Sequence, residues 1–264
     1  MASESGLEVF LAPSLFLVSV YLVWFARYPM WRLFGYAEPL FFMLILSYFV
    51  VLLLSILFLK KDMKKSLSTI LKTHGWRYCL VGIVFACVFQ GIWFLFSLVM
   101  GGSLVGLPFP SLKGYENYAV YSLVSGFALY LAFAVFGAFV EEVAFRGYVQ
   151  SRIASRYGNI VGVFVSSLFF SLQHIHIFDL DWIWRFFQMQ FIYVFCFGIF
   201  TGYLFIKSNE DLWRVFAFHA SMNIFNVSLP IEVTPAFSSA NQFTTLIGFI
   251  FMILLLRLCP KLDS

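Results

Sequence analysis

The chain of 264 residues is 62% hydrophobic and 21% aromatic, and Asp, Glu, Lys and Arg together make up only 11%. A soluble domain carries about 25% charge, so the composition excludes an ordinary water-soluble enzyme and predicts an all-α polytopic bundle in a membrane. The net charge of +4 is spread between apolar runs instead of covering one face. It therefore reads as membrane topology, with membrane lipid as a partner and nucleic acid excluded.

Apolar runs of about 20 residues predict the spans. In chain order they cover Val9 to Ala26, Leu40 to Leu59, Tyr78 to Met100, Tyr118 to Glu141, Ile160 to Phe178, Phe186 to Ile206, Leu212 to Leu229 and Phe243 to Leu256. The first run has no positively charged leader and no small-residue cleavage site, so it is expected to be retained as a span. The connection after the second run holds Lys60, Lys61, Lys64, Lys65, Lys72 and Arg77, which makes it cytoplasmic by the charge rule. Eight spans then put both termini inside, and only Arg27, Arg32, Lys113 and Arg185 of the 17 basic residues fall outside. Asp62 to His74 fits either a surface amphipathic helix or a solvated loop. Gly101 to Asn117, with two prolines and a Gly pair, is an outer loop. No repeat or linker divides the chain, so residues 1–264 are expected to form one membrane domain. Cys79, Cys87, Cys196 and Cys259 form no CxxC pair and read as reduced, buried thiols.

Charge inside an apolar run is costly and marks a functional hypothesis. The fourth run ends in Glu141-Glu142-Val143-Ala144-Phe145-Arg146. Glu142 and Arg146 are four apart, so on a helix they stack in the favourable acid-before-base order. Glu141 points roughly 100° away and is left without that partner. The helix continues to a stop and turn at Gly158-Asn159. Glu141 lies 17 residues before Gly158 and His174 lies 16 after it. At about 1.5 Å per residue both stand about 25 Å from the turn, level across an antiparallel hairpin. In the seventh run His219 and Asn223, also four apart, share a helix face.

Each feature has a plain structural reading: an ion pair that holds a helix, an interhelical histidine, a polar pair between helices. His74 and His176 read as incidental, and the many Phe residues as packing and lipid-facing surface. The joint occurrence of Glu141, His174, His219 and Asn223 on three spans raises the functional reading. Buried Glu and His also mark ion or proton pathways. A proton-coupled transporter, or a non-catalytic scaffold of the immunity type, is therefore the alternative class.

These residues resemble the three motifs of the CPBP family of intramembrane proteases, also called Abi or CAAX-protease-like, whose eukaryotic members are the type II CAAX-prenyl endopeptidases. The two glutamates followed after three residues by arginine match Glu141, Glu142 and Arg146. The Phe-to-His motif matches Phe170 and His174, and the His-to-Asn motif matches His219 and Asn223. The motifs span about Tyr118 to Pro230, and the first three spans carry no family signature.

The resemblance implies an intramembrane endopeptidase acting on a membrane-embedded or lipid-modified protein, with a prenylated CAAX-type protein as the eukaryotic case. It implies a multi-pass protein, in the cell membrane of a prokaryote or the endoplasmic reticulum of a eukaryote, with its site open to the cytoplasm. Two mechanisms fit the residues. In the favoured one Glu141 is the general base, His174 positions the water, and His219 and Asn223 donate to the oxyanion, with Glu142, Arg146 and Phe170 as support. In the other, Glu141, His174 and His219 bind Zn²⁺, as the family's metalloprotease label suggests, though the chain has no His-Glu-x-x-His pair.

Overall fold

The computed structural model describes residues 11–23, 38–72, 75–99, 103–104, 123–175, 180–228, 231–232 and 235–258. His74, His176, Cys259 and nearly all of the Gly101–Asn117 loop lie outside them. The described chain is all-helical apart from a two-residue antiparallel ladder that pairs Ser103 with Glu232 and Leu104 with Ile231. The helices are α1 (Leu11–Val23), α2 (Glu38–Lys61), the short α3 (Leu67–Ile70), α4 (Cys79–Val99), α5 (Leu123–Glu142), α6 (Ser151–Tyr157), α7 (Asn159–Leu172), α8 (Leu180–Met189), α9 (Phe191–Lys207), α10 (Leu212–Ser228) and α11 (Pro235–Leu258).

Three sequence expectations are corrected. The run Phe186–Ile206 is two helices, because Gln190 leaves helical geometry at φ −122° between α8 and α9. Asp181, Arg185 and Gln188 alternate with Trp and Phe in α8, a composition suited to an interface and not to crossing it. The fifth run ends early, since α7 stops at Leu172 and places His174 in the following turn. There the His174 N–H bonds Ser171 O, three residues back, and the tightened turn closes the helix. Cys87 is exposed, not buried, because it lies on the outward side of α4 with Val84 and Val88. The amphipathic alternative for Asp62 to His74 reduces to the four residues of α3.

α5 does not end in a loop. It runs into a π-helix, Val143–Gln150, and then into α6, so one continuous rod carries the carboxylates. A π-helix closes i→i+5 rings and is rarely longer than one turn. Here it is held from outside its own ladder. Ser166 of α7 donates to Phe145 O at 2.9 Å, and Ser151 donates to Arg146 O at 3.1 Å. Gly158 ends α6 at φ +85° with its N–H on Ala154 O, a conformation that favours glycine, and α7 folds back along α6 and the π-helix.

The connections assigned to the cytoplasm by their charge meet at one end of the bundle. Lys65 pairs with Glu210 at 3.0 Å, Arg152 pairs with Asp62 at 2.9 Å, and Tyr148 donates to Asp62 at 2.9 Å. Asp211 caps α10 by accepting the Trp213 N–H at 3.0 Å. Burial pushes its carboxyl above the usual range, partly offset by that hydrogen bond and by Arg214 and Lys72. Behind these loops a Phe network fills the space between α4, α9, α10 and α11. Phe197 stacks on Phe218 at 5.6 Å and Phe89 on Phe249 at 4.4 Å between ring centroids.

The outward faces are apolar. Leu11, Leu15, Val18 and Leu22 form one exposed stripe of α1, and Leu46, Phe49, Leu53 and Leu57 another of α2. A surface helix in water carries polar residues at such positions. Among the described residues, Leu67–Phe96 is long and apolar enough to cross a membrane by length and composition. α4 and α10 approach closely at Gly82, where an added Cβ would stand 2.1 Å from Arg214 O and 2.7 Å from Phe218 N. Gly82→Ala therefore forces backbone apart, and overpacking of this kind costs about 1–3 kcal/mol or more. The expected outcome is a lower thermal unfolding midpoint of the detergent-solubilised protein; an unchanged midpoint would contradict the α4–α10 contact.

Candidate active site

The last turn of α5 places Glu141 and Glu142 side by side, and the fold gives them different surroundings. Glu142 is fully buried. Its Oε2 lies 3.2 Å from Arg146 Nε and its Oε1 lies 2.7 Å from His219 Nδ1. The Arg146 contact is close, yet Oε2 makes no directed hydrogen bond, so its attraction is mainly Coulombic. In a dry interior that attraction is strong, and so is the desolvation it must offset.

Arg146 is itself enclosed. Its Nη2 donates to Thr201 Oγ1 on α9, and its guanidinium carbon stands 4.3 Å over the Phe170 ring. Phe170 thus acts as a floor for the cation. The same ring meets His174 and His219 edge-on, at centroid distances of 5.1 and 5.9 Å. Phe197 of α9 closes the other side of His219 at 4.8 Å. The spacing of Phe170 and His174 is explained by one contact: His174 Nδ1 lies 2.9 Å from Phe170 O. A carbonyl only accepts, so Nδ1 carries the proton and Nε2 of the neutral ring carries a lone pair. His174 also lies within electrostatic reach of Glu141, His219 and Arg146.

Glu141 has two dissimilar neighbours. Its Oε2 is 3.7 Å from His219 Nε2, and its Oε1 accepts the Tyr48 hydroxyl at 3.0 Å. His219 therefore stands between both carboxylates, with Nδ1 on Glu142 and Nε2 toward Glu141. Sequence spacing paired Glu142 with Arg146 correctly but missed that Glu142 also orients His219. That link joins residues 77 apart, and helical periodicity carries no information about it. Asn223, one turn along α10 from His219, donates Nδ2 to Ala134 O of α5 at 3.2 Å. Tyr48 was also missed. It lies in an otherwise apolar run of α2, where a tyrosine reads as packing.

The donor types suit zinc, and a histidine whose other nitrogen is held by a carbonyl or carboxylate is a familiar metal-site arrangement. The disposition does not. Among the described residues no group of three His, Cys, Asp or Glu side chains is placed to hold a metal ion. A cleft of about 320 Å³ opens at the loop end, bounded in part by Asp62, Lys65, Arg152 and Glu210. It meets the rod at Ser151 and Arg152, beyond the π-helix that follows the carboxylates.

Residues 122–225 match the family described as Type II CAAX prenyl endopeptidase Rce1-like. The matched segment is under half of the chain and contains all three motifs. This bears out the resemblance to the type II CAAX-prenyl endopeptidases. No curated protein matches the chain.

Removing the partner of a buried charge is far costlier than removing both. Arg146→Met is expected to destabilise the protein by about 3–5 kcal/mol, read as a fall in the unfolding midpoint. Arg146→Met combined with Glu142→Gln is expected to recover a large part of that loss. A double variant as unstable as the single one would show that the ion pair is not the source.

Proposed function

We propose that the chain is an intramembrane endopeptidase. Its eight spans form one membrane domain, its termini are cytoplasmic, and it cleaves a membrane-associated protein of the prenylated CAAX class. The observation that carries this reading is the buried chain Glu141–His219–Glu142–Arg146. It sets one carboxylate in a compensated ion cluster and leaves the other facing a histidine and a phenol. The Rce1-like match of residues 122–225 supports the reaction and substrate class. The outward apolar stripes of α1 and α2 support the membrane setting. The clustering of the basic connections at one end supports their lying on a single side, with the site opening toward them.

In this reading Glu141 takes a proton from a water that the His174 Nε2 lone pair helps to hold. The resulting hydroxide attacks the peptide carbonyl carbon. The tetrahedral oxyanion is stabilised by hydrogen bonds from His219 and Asn223. Protonated Glu141 then returns the proton to the leaving nitrogen as the C–N bond breaks, giving a carboxylic acid and an amine. His219 presents Nε2 toward the oxyanion, because its Nδ1 is engaged by Glu142. Glu142 and Arg146 act as positioning residues, and Phe170 aligns His174 through its carbonyl. Water activation is assigned to Glu141 without a metal.

Glu141→Gln keeps size and packing but removes the base. Cleavage of a CAAX-type reporter by purified protein in lipid is expected to fall at least about 100-fold, with the unfolding midpoint near that of the parent. Parent-level cleavage by this variant would overturn the mechanism. The parent rate is expected to survive incubation with a metal chelator. Chelator-sensitive, zinc-restored cleavage would reassign water activation to a metal, and absence of cleavage with proton-coupled flux would favour a transporter.

A further inference from the structure

The first three spans carry no motif and lie outside the matched segment, yet α2 reaches the site. Tyr48 and Glu141 are 93 residues apart, and the phenol donates to Glu141 Oε1 at 3.0 Å. Both residues are buried, at 6% and 8% exposure. The seat is built for this ring. One turn before Glu141 stands Gly137, where an added Cβ would lie 3.2 Å from Tyr48 Cζ and 3.3 Å from its hydroxyl. Phe136 meets the ring edge-on at 6.4 Å. A side chain at 137 would crowd the phenol and require it to shift by a few tenths of an ångström.

We propose that Tyr48 is a positioning residue that fixes the rotamer of Glu141 and tunes its basicity, which makes α2 part of the active site. This rests on the reading of Glu141 as general base. The phenol divides the two oxygens: Oε1 is held, and Oε2 remains turned toward His219 and the water. A hydrogen bond donated to an ionised carboxylate favours its charged form. The other charged or titratable groups around Glu141 are Glu142 and Arg146 on its own rod, His219 of α10, and His174 after α7. Tyr48 differs from these in meeting Glu141 as a neutral donor, so its removal changes basicity without changing the charge count.

The test is the pH dependence of kcat/KM for cleavage of the same CAAX-type reporter by the full-length protein in lipid. Tyr48→Phe removes one oxygen and keeps the ring. The acid limb, which reports Glu141 ionisation, is expected to move up by about one pH unit, with kcat reduced and KM little changed. Replacing Tyr48 by 3-fluorotyrosine, a stronger donor of nearly equal size, is expected to move the limb down. A purely structural role predicts no such opposed shifts. If Glu141→Gln is inactive while both Tyr48 variants keep the parent acid limb, the Tyr48 proposal is wrong and the Glu141 reading stands. If Glu141→Gln cleaves like the parent, the underlying reading fails first.

Discussion

The structure turns on one constraint: a fully buried carboxylate, Glu142, must be compensated where no water can do so. Compensation comes from two directions. Arg146 supplies it from one turn further along the same rod and His219 from α10. Each partner is in turn held, Arg146 by Thr201 of α9 and the face of Phe170 in α7, and His219 between Phe170 and Phe197. Four elements are therefore fixed relative to one another by a single charge. Replacing such a cluster with apolar side chains often leaves stability unchanged or higher. Its retention here is best understood as geometry: it orients the imidazole that faces Glu141.

Glu141 and Glu142 are identical and adjacent in sequence, so their difference is entirely environmental. One carboxylate meets two cationic or cation-forming partners and becomes part of the framework. The other meets a phenol and the far edge of the same histidine. A site that must hold one carboxylate still while another exchanges a proton needs such asymmetry. Here α2 and α10 supply it, each packed against the rod.

Much of this was legible in the sequence because it depends on short spacing. The Glu142–Arg146 stack, the stop at Gly158 and the starts of α7 and α10 all follow from local rules, and the structure bears them out. Setting Glu141 level with His174 requires α-helical rise throughout the hairpin, which the structure does not keep. The π-helix at Val143–Gln150 and the end of α7 at Leu172 both alter that count. The two histidines still share one aromatic floor at Phe170. Periodicity could not reveal that π-helix, which depends on serine hydroxyls of α6 and α7 taking its carbonyls. Nor could it reveal contacts between distant segments. The hydrogen bonds of Tyr48 to Glu141 and of Glu142 to His219 join residues brought together only by packing. The break at Gln190 was hidden by the aromatic residues that continue hydrophobicity across it.

The two histidines also differ in what holds them. His219 is oriented through Nδ1 by Glu142, a side chain that a single codon change can replace. His174 takes its tautomer from the backbone carbonyl of Phe170, which no substitution at that position removes. The orientation of His174 therefore tolerates sequence drift as long as the turn after α7 persists. The orientation of His219 does not. Over time the chain would be expected to vary more freely around the first histidine than around the residues that hold the second.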